Sequence, residues 1–133
     1  MREEKLIQLL AKKISQINLA HPIRVGIDGV DASGKTALAN KLAKQLQKTR
    51  RQVIRASTDG FHNPRKIRYK KGRDSPKGYF LDSFNNKAII GNLLKPLGPK
   101  GSLRYRTKIF DFIKDSKAKC KVQKAGKNAI LIF

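Results

Sequence analysis

The chain has 133 residues, a length that suits one domain with a real hydrophobic core. Its 31 Lys and Arg against 9 Asp and Glu leave a formal charge of +22. That balance favours polyanionic partners such as nucleotides, nucleic acid or acidic surfaces, although scattered cations also make an ordinary solvated surface. One cysteine, Cys120, excludes an internal disulfide framework, and no His or Asp arrangement around it suggests a nucleophile. No apolar run is long enough to span a bilayer and "MREEKLIQLL" lacks a signal-peptide core, so a cytoplasmic protein without a membrane partner is the default expectation.

In chain order, apolar residues at Leu6, Leu9, Leu10, Ile14 and Ile17 recur at helical spacing and predict a helix from Arg2 to about Leu19, with those residues on its buried face. His21-Pro22 ends it, because the residue before a proline avoids the helical region. "IRVGID" reads as a short buried strand, "GVDASG" as a loop, and "KTALANKLAKQLQKTR" as a second amphipathic helix with Leu38, Leu42 and Leu46 on one face. "QVIRAS" is a second strand, so a right-handed crossover and a parallel sheet are expected. Thr58 to Gly78 has no sustained period and reads as a long loop with at most a helical turn. "DSFNNKAIIGNLLKPL" predicts a helix capped by Asp82 or Ser83. "SLRYRTKIFDFIKDS" alternates like an edge strand, "KAKCKVQKAGK" supplies a hairpin partner carrying Cys120 and Val122, and "NAILIF" is a third short buried strand.

The segment that carries chemistry is "GVDASGKT". Gly29, Gly34, Lys35 and Thr36 fill the pattern G-x-x-x-x-G-K-[ST], with Val30, Asp31, Ala32 and Ser33 between the glycines. The glycines allow a tight backbone whose N–H groups converge on an anion, and the helix that follows turns its positive end toward it. Lys35 is placed to reach β- and γ-phosphates and the Thr36 hydroxyl to hold Mg²⁺. The strand before and the helix after supply the context this pattern requires. Asp31, inside the loop, is expected to point its carboxylate away from the phosphates.

With the loop followed by "RASTDGFHNP", and then by "GYFLDSFNN" and "RTKIFDFIKDS", the chain from about Ile23 to Phe133 resembles the uridine kinase family, a group of P-loop kinases related to pantothenate kinase and phosphoribulokinase. The resemblance implies an α/β fold of the P-loop NTPase type, a three-layer sandwich with a mostly parallel sheet. It implies ATP and Mg²⁺ as cofactors and phosphoryl transfer to a hydroxyl of a nucleoside or similar small metabolite. By position, Asp59 is the general base and a second Mg²⁺-ordering group. Residue types alone leave Asp59 open as a turn former ahead of Gly60; its place after a parallel strand, beside the phosphate loop, also suits proton abstraction. Phe61, His62, Tyr79 and Phe110 are the candidate substrate-side residues. His62 stands where the family often has an aromatic, Tyr79 where ribose-binding members carry an acid, and Asp115 where uridine kinases have a base-reading histidine. Phe110 suits either stacking on a base or packing in a strand.

The family pattern continues past "NAILIF" with an acid, further strands and a lid whose arginines clamp the phosphates. The expectation is therefore a single domain over 1–133, incomplete on its C-terminal side, with an N-terminal helix in 1–22 and a substrate-side insertion and hairpin region over 60–127. A terminal strand would then leave a sheet edge uncovered. A second reading is a non-catalytic protein that binds nucleotide through the loop, or nucleic acid through the basic surface.

Overall fold

A computed structural model describes residues 2–28, 34–69, 72, 84–111 and 113–133. Two helices come first and third: α1, Arg2–Ser15, and α2, Lys35–Gln47. Between and after them lie the strands β1, Ile23–Val25, and β2, Val53–Arg55. A 3-10 turn, Thr58–Phe61, leads to the short helix α3, Arg65–Arg68. Helix α4 begins as Asn86–Ile89 and widens to a π-turn over Ile90–Leu94. That widening comes just before Pro96, which has no N–H with which to continue the ladder. Four two-residue strands follow: β3 Arg104–Tyr105, β4 Phe110–Asp111, β5 Ser116–Lys117 and β6 Gln123–Lys124. The last strand is β7, Ile130–Ile132.

The main sheet is parallel, as the sequence predicts, but β1 and β2 are not neighbours. The order is β1-β7-β2, with Leu131 opposite Arg24 on one side and Ile54 on the other. The edge expected at "NAILIF" is thus replaced by a central position, and all three residues of β7 are fully buried. Their alternation divides the core. Ile130 and Ile132 pack with Ile7, Ala11 and Ile14 of α1 and Ala39, Leu42, Ala43 and Leu46 of α2. Leu131 faces the other layer, with Ile54, Phe61, Ile89, Leu93 and Leu97. Helices, sheet and a second helical layer make the three-layer sandwich.

The buried face of α1 differs from the expected one. Ile7, Ala11 and Ile14 are inside, whereas Leu6, Leu9 and Ile17 are exposed and Leu10 is half-buried. The reason lies in the partner helix: Ala11 meets a surface carrying Ala39 and Ala43, and small residues let the two axes come close. The helix also stops at Ser15 instead of near Leu19, because Arg51 takes over its end. The Arg51 guanidinium donates to the carbonyls of Ser15 and Ile17, and its Nε donates to Asn128 O at 2.7 Å.

In the second layer, α4 is capped by Asn85, whose Oδ1 accepts from Ala88 N at 3.0 Å. Asp82 and Ser83, the expected caps, lie outside the described residues. The single strand expected within 102–116 is broken into β3 and β4, with Leu103 at a positive φ of 66° before the first. β3 pairs antiparallel with β6, and β4 with β5. Cys120 and Val122 precede β6 rather than lying in its ladder.

Candidate functional site

The three parallel strands end on one side of the sheet. Their pairing runs one residue past each strand: Ile27 N donates to Phe133 O at 2.9 Å, Phe133 N to Val25 O at 2.9 Å, and Ala56 N to Ile132 O at 3.2 Å. Beyond β1 the chain passes through Gly26, Ile27 and Asp28 to the segment 29–33, and α2 opens immediately after it. Beyond β2 it passes through Ala56 and Ser57 to Asp59. The crevice outside the carboxyl ends of parallel strands is where open α/β sheets bind ligands.

Gly34 introduces α2 with φ 82° and ψ 11°, a left-handed conformation that a side chain would strain. Its carbonyl accepts from Leu38 N at 3.0 Å, so the first turn is regular, and Lys35 and Thr36 occupy that turn. Thr36 is exposed and Lys35 half-buried. Gly29, Val30, Asp31, Ala32 and Ser33 lie outside the described residues, as does Tyr79.

Asp59 sits in the 3-10 turn, and its placement is set by four contacts. Ser57 Oγ accepts from Asp59 N at 3.2 Å, capping the turn. Gly60 O accepts from Ile109 N at 2.9 Å, and Phe61 O accepts from Asn85 N at 2.8 Å. His62 bridges to Phe84. The turn is therefore held between the segment 107–109, which joins β3 to β4, and the start of α4. Gly60 is needed there, because a Cβ would stand 2.6 Å from Lys108 Cβ and 2.8 Å from the Thr107 carbonyl oxygen. The Asp59 side chain remains 66% exposed, free to meet a ligand on the open side.

His62 Nε2 lies 3.5 Å from Asp59 Oδ1, and the His62 ring packs on Phe84 with centroids 4.8 Å apart. Burial pulls the imidazole below its ordinary pKa, Asp59 partly offsets this, and Arg68 adds to the lowering. At neutral pH the ring is uncharged. Phe61 has no exposed surface and packs in the second core layer, while Phe110 is buried on β4. In this conformation Phe61 offers nothing to a ligand and serves the core that supports Asp59. Asp115 does not face a base pocket. Its Oδ1 accepts from Arg65 N at 2.9 Å and lies 3.8 Å from Arg68 Nη2, pinning α3 to the β4–β5 turn.

One contributor that residue patterns gave no sign of is Arg55. Its Nε donates to Asn40 Oδ1 at 3.0 Å, and its Nη1 donates to Ala56 O at 2.6 Å and Ile132 O at 3.1 Å. One guanidinium thus fastens α2 to the carboxyl ends of β2 and β7. Burial lowers its pKa, yet a guanidinium stays charged at any working pH. Alternation inside a short apolar strand gives no sign that its arginine reaches a helix and a second strand. A cleft of about 260 Å³ opens at the same end of the sheet beside Arg24, Gly26, Leu94 and Phe133, whereas a larger one of about 320 Å³ lies between α1 and α2, away from the strand ends.

For Mg²⁺, the donor set is chemically suitable: the Thr36 hydroxyl and the Asp59 carboxylate are hard oxygen ligands, both exposed beyond the carboxyl ends of the strands they follow, β1 and β2. No group of three or more His, Cys, Asp or Glu gathers as a metal cage among the described residues. A cage is not what such a site uses, since Mg²⁺ commonly keeps several waters and is bound through few side chains plus substrate phosphates.

The family model described as the KAP family P-loop domain matches residues 3–130. The chain belongs to this KAP P-loop family. The KAP-type domain is also similar to a solved structure titled as a possible uridine kinase from Bacillus stearothermophilus, at 25% identity and a TM-score of 0.81, over 99% of this chain and 71% of that one. Family and neighbour together identify a uridine kinase-like P-loop kinase fold, a nucleotide-binding architecture. No curated protein matches the sequence. No helix among the described residues of this P-loop domain is long and apolar enough to cross a membrane.

Proposed function

We propose that the chain acts in ATP-dependent phosphoryl transfer to a hydroxyl of a nucleoside or similar small metabolite. The observation that carries this reading is the position of Asp59: an exposed carboxylate held just past the carboxyl end of β2, the same end of the sheet at which α2 opens with Lys35 and Thr36. Resemblance to the uridine kinase family assigns the same residue the role of base.

In this reading Lys35 and the N–H groups of the loop over 29–34 hold the β- and γ-phosphates of ATP. Thr36 and Asp59 would hold Mg²⁺, whose chemistry is to neutralise charge on the phosphate oxygens. Asp59 accepts the proton of the attacking hydroxyl as its oxygen bonds to the γ-phosphorus and the bond to the β–γ bridging oxygen breaks; ADP leaves. Carboxylate and neutral imidazole divide the work. Asp59 takes the proton, and His62, fixed by Phe84, orients it. The substrate side would come from the region 60–127, with His62, Tyr79 and Phe110 as its candidate contacts. Two candidate pocket positions, His62 and Tyr79, depart from the uridine kinase pattern, and Asp115, at the place of the base-reading histidine, is turned to α3 instead, so the acceptor class is left broader than uridine.

The test is transfer of labelled γ-phosphate from ATP with Mg²⁺ to a panel of nucleosides, pantothenate and ribulose 5-phosphate. Product with one acceptor, lost in Asp59→Asn, is expected. ATP binding without transfer to any of them would refute the kinase reading.

A further inference from the structure

The stretch from Arg104 to Lys127 falls within the region proposed for the substrate side, where only Phe110 is a candidate contact, and carries nine Lys or Arg against two Asp. All nine cations are exposed. Among the described residues none of them has a carboxylate within ion-pair distance. Both acids are occupied internally: Asp111 Oδ1 accepts from Ile113 N and Lys114 N, and Asp115 pins α3.

Arrangement matters more than the count. In the β3–β6 ribbon, Tyr105 faces inward at 4% exposure and donates its hydroxyl to Gln123. Arg104, on the opposite face, stands directly across from Lys124. Like charges paired across an antiparallel ladder destabilise it, so this pair has no structural merit by itself. Arg106 continues the same face and donates Nε–H to Cys120 O at 3.2 Å, drawing the segment 117–121 alongside. There the exposure alternates, with Lys117, Lys119 and Lys121 outward and Ala118 and Cys120 partly covered. Exposed cations thus line both strands of the β3–β6 ribbon and run on into the β4–β5 ladder, where Lys117 stands opposite Phe110.

We propose that this face binds the phosphate backbone of a nucleic acid, without reading sequence. Phosphate contacts from Lys and Arg supply sequence-independent affinity, and a polyanion would relieve the Arg104–Lys124 repulsion. Among the described residues of this stretch no exposed aromatic is offered to stack on bases, since both Tyr105 and Phe110 are buried. Only Ile113 and Val122 are large exposed apolar residues among those described in this stretch, too little apolar surface to enter a bilayer.

The experiment is fluorescence anisotropy of a labelled mixed-sequence single-stranded RNA, titrated with the full chain across salt. A ribbon variant, Arg104→Glu with Lys117→Glu and Lys121→Glu, is compared with a control of equal charge change, Lys5→Glu with Lys13→Glu and Lys95→Glu. The ribbon variant should lose about tenfold or more in affinity, with a log–log salt slope shallower by about 2, and the control far less. Arg104→Glu alone should bind RNA more weakly while its melting temperature holds or rises, since Glu opposite Lys124 makes a favourable pair; this separates lost binding from lost folding. Equal losses in both triple variants would overturn the proposal in favour of net charge. So would tight binding to phosphatidylserine vesicles with none to RNA.

Discussion

His62 Nε2 approaches Asp59 Oδ1 to 3.5 Å while the imidazole leans on Phe84, so the exposed carboxylate has a partly buried, neutral partner. Asp59→Asn should therefore reduce turnover by about 10²–10⁴-fold, the usual worth of a general base, with ATP affinity little changed. Single-turnover phosphate transfer and nucleotide binding, measured on the same preparation, separate the two. A parallel loss of ATP binding would place Asp59 in nucleotide binding instead.

The same pair gives stability a pH dependence. Burial lowers the His62 pKa in the folded chain, so the folded state binds fewer protons than the unfolded one near the ordinary value of 6.5. The contribution is present above that value and lost as pH falls through the folded pKa. Thermal melts should show falling stability below about pH 6.5. His62→Phe, which keeps an aromatic against Phe84, should flatten that part of the curve. An unchanged slope in His62→Phe would assign the dependence elsewhere.

Gly60→Ala tests the clamp on the Asp59 turn. The new methyl would meet Lys108 Cβ and the Thr107 carbonyl, both fixed by the bond from Ile109 N to Gly60 O. A loss of about 1–3 kcal/mol is expected from overpacking. Denaturant unfolding measures it; a change under a few tenths would mean that 107–109 moves freely.

Leu131→Ala removes a side chain at the centre of the sheet, with no exposed surface and neighbours on both flanking strands. It should cost about 2–5 kcal/mol, among the larger single losses the chain can suffer. Leu6→Ala, on the exposed side of α1, should cost far less, and equilibrium unfolding of the pair tests the layer assignment.

Asp115→Ala should free the start of α3, at a cost of about 0.5–2 kcal/mol, whereas Asp115→Asn should retain most of the cap and tolerate the positive φ of 52°. Comparing the two by unfolding separates the hydrogen bond to Arg65 N from the charge on Arg68.

What the sequence made legible was local. The strand–loop–helix setting of Lys35 and Thr36 follows from spacing along one segment, and β1, α2, β2 and β7 can each be read from a short apolar pattern. Partnership was not legible. Leu6 and Leu9 fit the helical stripe of α1 as well as Ile7 and Ala11 do, and only the alanines of α2 decide between them. Asn85 caps α4 because the chain enters from Phe84, which has to reach His62. Likewise, Arg55 earns its place through atoms of Asn40 and Ile132, residues distant in sequence that no local pattern connects to it.

The central place of β7 has a consequence for how the chain reaches its fold. Ile23 pairs with Ile130, a separation of 107 residues, and β1 and β2 have no ladder with each other to hold them meanwhile. During synthesis α1, β1, α2 and β2 all appear before the strand that joins them. Their apolar edges stay unpaired until Ile130–Ile132 arrives, so the sheet closes in one late, non-local step. Refolding should accordingly be slow for a chain of this size, and the interval before closure is when its strand edges are most open to pairing with another copy.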